Sequence, residues 1–189
     1  MIILTGPSAS GKTATCLYLQ SHYGIRKVIT HTTRPMRDGE VNDRDYHFVS
    51  VEEFKAMIDR DEFVEHVFYN GNYYGTSKKE VGIDKCMAVE LGGAMTYKSF
   101  GDPKIVLFFM KLDEKNCRER MIQRGDPEEK VLKRIENDKS SFTLSEKMKS
   151  MIDDYVDTGE MNLEQAASFI YRRYLELLKE RGIQYPAAQ

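Results

Sequence analysis

The sequence predicts an α/β protein, with a three-layer core around a parallel sheet and a small inserted antiparallel segment. Three observations predict it. Residues 1–5 are a short apolar run that enters a glycine-rich loop and then a helix, which fits a buried strand. Ile105-Val106-Leu107-Phe108-Phe109 is apolar on both faces, as a central parallel strand covered by helices on each side must be. Tyr46 and Phe48 alternate with Asp45 and His47, which within residues 30–50 suggests antiparallel strands rather than βα units.

The remaining elements follow in order. A helix is expected from Lys12 to about Tyr23, and a second ordered stretch from Val28 and Ile29. Ser50-Val51-Glu52-Glu53 reads as a capping box that opens a short helix through Met57 and Ile58. Phe63 to Phe68 reads as a strand, and Met87 to Leu91 as a weaker strand of the core. A helix from Asp113 to Gln123 stops at Gly125. Asp126-Pro127-Glu128-Glu129 then supplies an N-cap, a proline at the first helical position and acids in the first turn. Asn162 with Gln165 caps the last helix, whose buried stripe is Leu163, Ala167, Ile170, Tyr174 and Leu178, and Gly182 ends it.

Composition narrows the classes of function. Twenty-eight basic against 30 acidic residues leave a net charge of -2, so no global field draws the chain to nucleic acid and any anion site must be local. Cys16, Cys86 and Cys117 are odd in number and widely spaced, which suggests neither a disulfide framework nor a zinc site, but reduced cytosolic thiols. The apolar start, Met1-Ile2-Ile3-Leu4, is too short for a signal peptide or a membrane span. A cytoplasmic protein with no nucleic-acid or membrane partner is expected, as a monomer or a homodimer.

Gly6-Pro7-Ser8-Ala9-Ser10-Gly11-Lys12-Thr13 matches the phosphate-loop pattern G-x-x-x-x-G-K-[ST] in full. The glycines let the backbone curl so that several amides point at one anion. The helix that starts near Lys12 adds the positive end of its dipole. Lys12 suits the β- and γ-phosphates of a nucleotide, and the Thr13 hydroxyl suits Mg²⁺. The motif names a triphosphate donor and leaves the reaction open.

The next segments decide the acceptor. Thr30-His31-Thr32-Thr33-Arg34-Pro35-Met36-Arg37-Asp38-Gly39-Glu40, continuing to Tyr46-His47-Phe48, resembles the GMP-binding segment of guanylate kinases. Phe63-Val64-Glu65 and Gly71-Asn72-Tyr73-Tyr74-Gly75-Thr76-Ser77 resemble two further signatures of that family. The resemblance implies ATP as donor with Mg²⁺ as cofactor, and GMP or dGMP as acceptor. It implies that Arg34, Arg37, Tyr46 and Tyr74 hold the acceptor phosphate and that Thr30, Glu65 and Thr76 read guanine. The physics agrees at Glu65: a carboxylate accepts from guanine N1–H and the 2-amino group, and adenine offers neither.

Arg120 and Arg124 are four apart and share a helix face. With Arg134 they resemble the family's lid, so that Lys12, Arg120, Arg124 and Arg134 are the expected catalytic set. The implied organisation is a P-loop core of residues 1–29, 77–117 and 140–189, a GMP-binding insertion over 30–76 and a helical lid over 118–139. The family usually carries D-x-D followed by Gln-Gly after the third block. Here Ala88-Val89-Glu90-Leu91-Gly92-Gly93 stands in its place, leaving Glu90 as the substrate-side acid. Two other readings remain open on the sequence: a P-loop kinase for a sugar phosphate or another nucleotide, and a non-catalytic guanylate-kinase-like binding module.

Overall fold

Strand β1 (Ile2–Thr5) is buried along its whole length and runs straight into the glycine-rich loop. The computed structural model describes residues 1–185 with the exception of Asn70 and Thr143. The chain divides into two units, Met1–Arg26 with Cys86–Gln189 and Lys27–Lys85. Helix α1 (Lys12–Tyr23) ends where Gly24 adopts φ 67°, a left-handed conformation that glycine reaches without strain. Strand β2 (Arg26–Lys27) follows, ending just short of the ordered stretch expected from Val28.

The Lys27–Lys85 unit holds β3 (His31–Thr32), β4 (His47–Phe48), α2 (Val51–Asp59), β5 (Phe63–Tyr69) and β6 (Asn72–Ser77), with sheet order β4-β3-β6-β5. β6 is antiparallel to β3 and to β5, but β3 and β4 run parallel. The inserted sheet is therefore mixed, which corrects the all-antiparallel expectation. Parallel neighbours need a crossover connection of about a dozen residues, and residues 33–46 supply it. The Tyr46 and Phe48 alternation reflects a shared aromatic face, with their rings 5.7 Å apart. The Ser50 hydroxyl accepts from the Glu53 amide at 3.0 Å, a cap worth about 1 kcal/mol. The Glu53 carboxylate turns instead to Arg60 at 2.8 Å, so only that half of the expected capping box forms through Glu53. Phe54, Met57 and Phe63 form this unit's core.

In the larger unit, β7 (Lys85–Ala88), α3 (Leu91–Ser99), β8 (Val106–Lys111), α4 (Glu114–Gln123), α5 (Glu128–Ser141), α6 (Glu146–Met151), β9 (Asp154–Asp157) and α7 (Leu163–Glu180) complete the chain. The sheet order is β2-β7-β1-β8-β9. β1 pairs in parallel with β7 and β8, and β8 with β9. The weak strand expected at Met87–Leu91 begins earlier and stops at Ala88. Once the Val89 amide has bonded to the Leu4 carbonyl, Glu90 turns the extended chain into α3, which the sequence reading missed. α5 starts at Glu128 with Pro127 at its cap, because the Asp126 carboxylate is taken by Arg124 and Arg134.

α7 carries the expected reciprocal Asn162–Gln165 box, and its stripe is buried except for Leu163, which is exposed. Cys16, Cys86 and Cys117 are buried thiols, and burial pushes the Cys117 thiol up to about 11. No helix among the described residues is long and apolar enough to cross a membrane.

Candidate functional site

The phosphate loop in the larger unit is shaped by its glycines. Gly6 adopts φ 144°, and a Cβ built on it would lie 2.3 Å from the Met110 carbonyl oxygen, so no side chain fits. Gly11 takes φ 90° at the N-cap of α1, and Ala9 takes φ 60° between them. The Lys12 ammonium donates to the carbonyls of Gly6 at 2.6 Å and Pro7 at 2.8 Å. Burial lowers its pKa, and the nearby carboxylates of Glu90 and Asp138 oppose that shift. Ser10 closes the loop through its amide to Pro7 O at 3.3 Å, while its buried hydroxyl has no partner among the described residues.

A cleft of about 820 Å³ brings Lys12 and Thr13 together with Glu90, Arg120, Arg124 and Arg134. Thr13 is exposed at the first turn of α1, and Glu90 is exposed at the cap of α3. The Arg120 guanidinium bridges two backbone carbonyls, Ala9 at 3.4 Å and Thr158 at 2.5 Å. Arg124 and Arg134 converge on one oxygen of Asp126, the latter at 3.2 Å. Asp138 on α5 accepts from the Ser8 amide at 2.7 Å. The sequence reading missed both acids. A signal existed for Asp138, because Val131, Ile135 and Asp138 follow the i, i+4, i+7 spacing of a buried helical stripe.

The other expected residues lie in the Lys27–Lys85 unit and form two groups. In the first, the Arg34 guanidinium stands over the Tyr46 ring at 5.4 Å, and the Tyr46 and Tyr74 rings are 6.3 Å apart. The Glu40 carboxylate accepts from Arg34 at 2.7 Å and from the Arg37 amide at 2.7 Å, and these bonds hold it below the usual carboxylate range. Arg37 joins this group only through its backbone, its side chain being exposed. Glu40 is a further residue that the sequence reading gave no role. In the second group, Glu65 on β5 is the register partner of Thr76 on β6, and the buried Thr76 hydroxyl donates to Glu65 Oε1 at 2.8 Å. Thr30 is half-buried and is fixed through its carbonyl, which accepts from the His47 amide at 3.0 Å.

Behind these groups lies an aromatic pair. His31 packs against His47 with ring centroids 4.5 Å apart and the planes tilted by 38°, and its Nδ1 is buried with no partner among the described residues. Burial, then the neighbouring His47, lowers the His31 pKa to about 4, against the opposing pull of Glu80, Glu62 and Asp43. The unfolded chain binds this proton below about 6.5 and the folded unit does not until about 4. Stability is therefore complete above the first value and falls as the pH drops through that window. Urea midpoints measured from pH 7.5 down to about 4 should fall less steeply in His31→Gln than in the unaltered protein. Parallel profiles would remove His31 from the account.

The chain is similar to known proteins. The family model described as guanylate kinase matches residues 1–168. The chain belongs to the guanylate kinase family. A guanylate kinase of Clostridium perfringens strain 13 is 36% identical over 132 residues, which cover 66% of this chain and 61% of that protein. The chain thus spans less than two thirds of the length of this relative. A guanylate kinase of Pseudoalteromonas translucida is 32% identical over 139 residues, 70% of this chain and 68% of its own length. The crystal structure of guanylate kinase from Anaplasma phagocytophilum superposes with a TM-score of 0.61 over 98% of this chain and 96% of its own, at 21% identity. That likeness supports the shared fold. Against the family's usual pattern, Ala88 and Glu90 remain departures, and the structure places Glu90 at a helix cap rather than within a strand.

Proposed function

We propose that this protein transfers the γ-phosphate of ATP to GMP, giving ADP and GDP, in the cytoplasm. The observation that carries the reading is the Glu65–Thr76 hydrogen bond, in a chain whose phosphate loop keeps Lys12 and Thr13. Thr76 consumes one lone pair of Glu65 Oε1 and fixes the carboxylate, leaving its other oxygen to accept from a base edge. Guanine presents two donors there and adenine presents an acceptor, so the wrong base leaves a carboxylate unpaired. Sites of this kind discriminate by roughly 10⁴–10⁵.

In this reading residues 30–76 bind the acceptor and 118–139 form the lid, while 1–29, 77–117 and 140–189 form the core. Arg34, Arg37, Tyr46 and Tyr74 hold the acceptor phosphate, which displaces Glu40 from Arg34. The attacking oxygen is already anionic, so no general base is needed. The chemistry requires instead that charge on the transferring group be neutralised and that water be kept away. Lys12, Arg124 and Arg134 supply that charge, and Arg120 holds the loop to the Thr158 segment.

The residues also fit Mg²⁺. The exposed Thr13 hydroxyl and Glu90 share the cleft with Lys12, and Mg²⁺ is commonly held by one or two protein oxygens plus substrate phosphates. When bound, the ion would neutralise charge on the phosphates.

The test is ADP release with GMP, dGMP, AMP, UMP and ribose 5-phosphate as acceptors. GMP or dGMP should exceed AMP by at least about 10³-fold in kcat/KM. Glu65→Gln should lower kcat/KM for GMP about 10- to 100-fold, the value of a hydrogen bond to a charged group. ADP release from GMP at background would refute the proposal.

A further inference from the structure

One amide of the donor cradle is already occupied from within the molecule. Pro7 has no N–H, so the Ser8 amide is the first donor after Gly6, and it donates to Asp138 Oδ2 at 2.7 Å. The carboxylate is placed there by the register of α5. Val131 is fully buried and Ile135 nearly so, and Asp138 continues their stripe toward the loop. The same carboxylate favours the charged form of Lys12 and lines the cleft that holds the three arginines. Lys12 meanwhile donates to the loop's own carbonyls. The loop thus has an internal anion on one of its donors.

We infer that Asp138 is an internal competitor for the donor phosphates and sets the affinity of the loop for them. The inference rests on the reading of this loop as an ATP cradle. One N–H donates fully to one acceptor, so a phosphate oxygen reaches the Ser8 amide only when the Asp138 carboxylate leaves it. A carboxylate that stays nearby repels the incoming phosphates through a partly buried, weakly screened gap. The same contact supports the loop as it stands, where Ala9 holds a left-handed conformation. Asp138 therefore acts in opposite directions on the two states: it steadies the free loop and weakens the liganded one.

Opposite signs make the test decisive. Titration calorimetry without acceptor would measure Mg-ATP and inorganic tripolyphosphate binding to the full chain, to Asp138→Asn and to Asp138→Ala. Asn keeps an acceptor for Ser8 and removes the charge, whereas Ala removes both. Both variants should bind tripolyphosphate about 10- to 100-fold more tightly, the range expected for release of a charge-assisted bond. The gap between Asp138→Asn and the unaltered protein should narrow at high salt, and the ligand-free Tm of Asp138→Ala should fall. A merely structural Asp138 predicts the fall in Tm with unchanged or weaker binding, which would overturn the competition and leave the cradle in place. Absence of binding by all three proteins would instead refute the ATP cradle itself, and this inference with it.

Discussion

Lys12→Ala should lower kcat by about 10³-fold or more, because a cation aimed at the transferring phosphates is among the largest electrostatic contributions such a site makes. The arginines of the cleft contribute charge as well, but none of them is part of the loop. Arg124 and Arg134 are engaged with Asp126, and Arg120 is committed to two backbone carbonyls. Lys12 is also pre-positioned, held by Gly6 and Pro7 within the loop rather than swinging from the surface. Its removal strips those carbonyls of a partner as well as the transition state of a charge. Lys12→Arg should rescue little, since a planar fork does not replace a compact ammonium inside a tight loop. The measurement is ADP release at saturating ATP and GMP, alongside a urea melt that confirms folding. Turnover within a few fold of the unaltered protein would remove Lys12 from the transfer step.

Gly6→Ala should be among the most damaging single-methyl changes in this chain, costing about 3–5 kcal/mol of stability and abolishing ATP binding. Two effects combine. The added Cβ would sit 2.3 Å from the Met110 carbonyl oxygen, a backbone atom of the central strand β8 that cannot swing aside. The φ of 144° is itself a conformation that side chains rarely adopt. Gly24→Ala is the control that separates them. Gly24 also has positive φ, 67°, but nothing lies within 4 Å of the point a methyl group would occupy there. That change should cost only about 1 kcal/mol, from left-handed strain alone. Equal urea midpoints for the two variants would show that the approach to Met110 is not what requires glycine.

The contrast between these glycines marks what could be read from the chain. The phosphate loop was legible because its backbone path admits few residue types at fixed spacing. α1 followed from it, and β8 was legible because a strand covered on both faces has to be apolar throughout. β9 gave no such signal: Asp154-Tyr155-Val156-Asp157 lies at the sheet edge, and only Val156 is buried. α3 begins with Leu91-Gly92-Gly93, a poor helix start whose place is decided by β7 ending against β1. Glu65 lay within a strand the sequence announced, whereas β6, which carries Thr76, was marked only by its resemblance to a family signature. Asp126 and Glu40 escaped because surface acids look alike until folding gives them partners, and the helical spacing of Asp138 marks its face but not the Ser8 amide it meets.

The parallel pairing of β3 with β4 has a consequence for where this unit can vary. A hairpin between these strands would leave a turn of about two to five residues. The crossover over residues 33–46 instead provides room for Arg34, Arg37 and Glu40 outside the hydrogen-bonded ladder. Exchanges at Arg34, Arg37 and Glu40 leave the β3–β4 and β3–β6 register pairs untouched. If these residues grip the acceptor phosphate as proposed, evolution or design can rewrite this part of the grip while Glu65, Tyr74 and Thr76 stay fixed in the sheet.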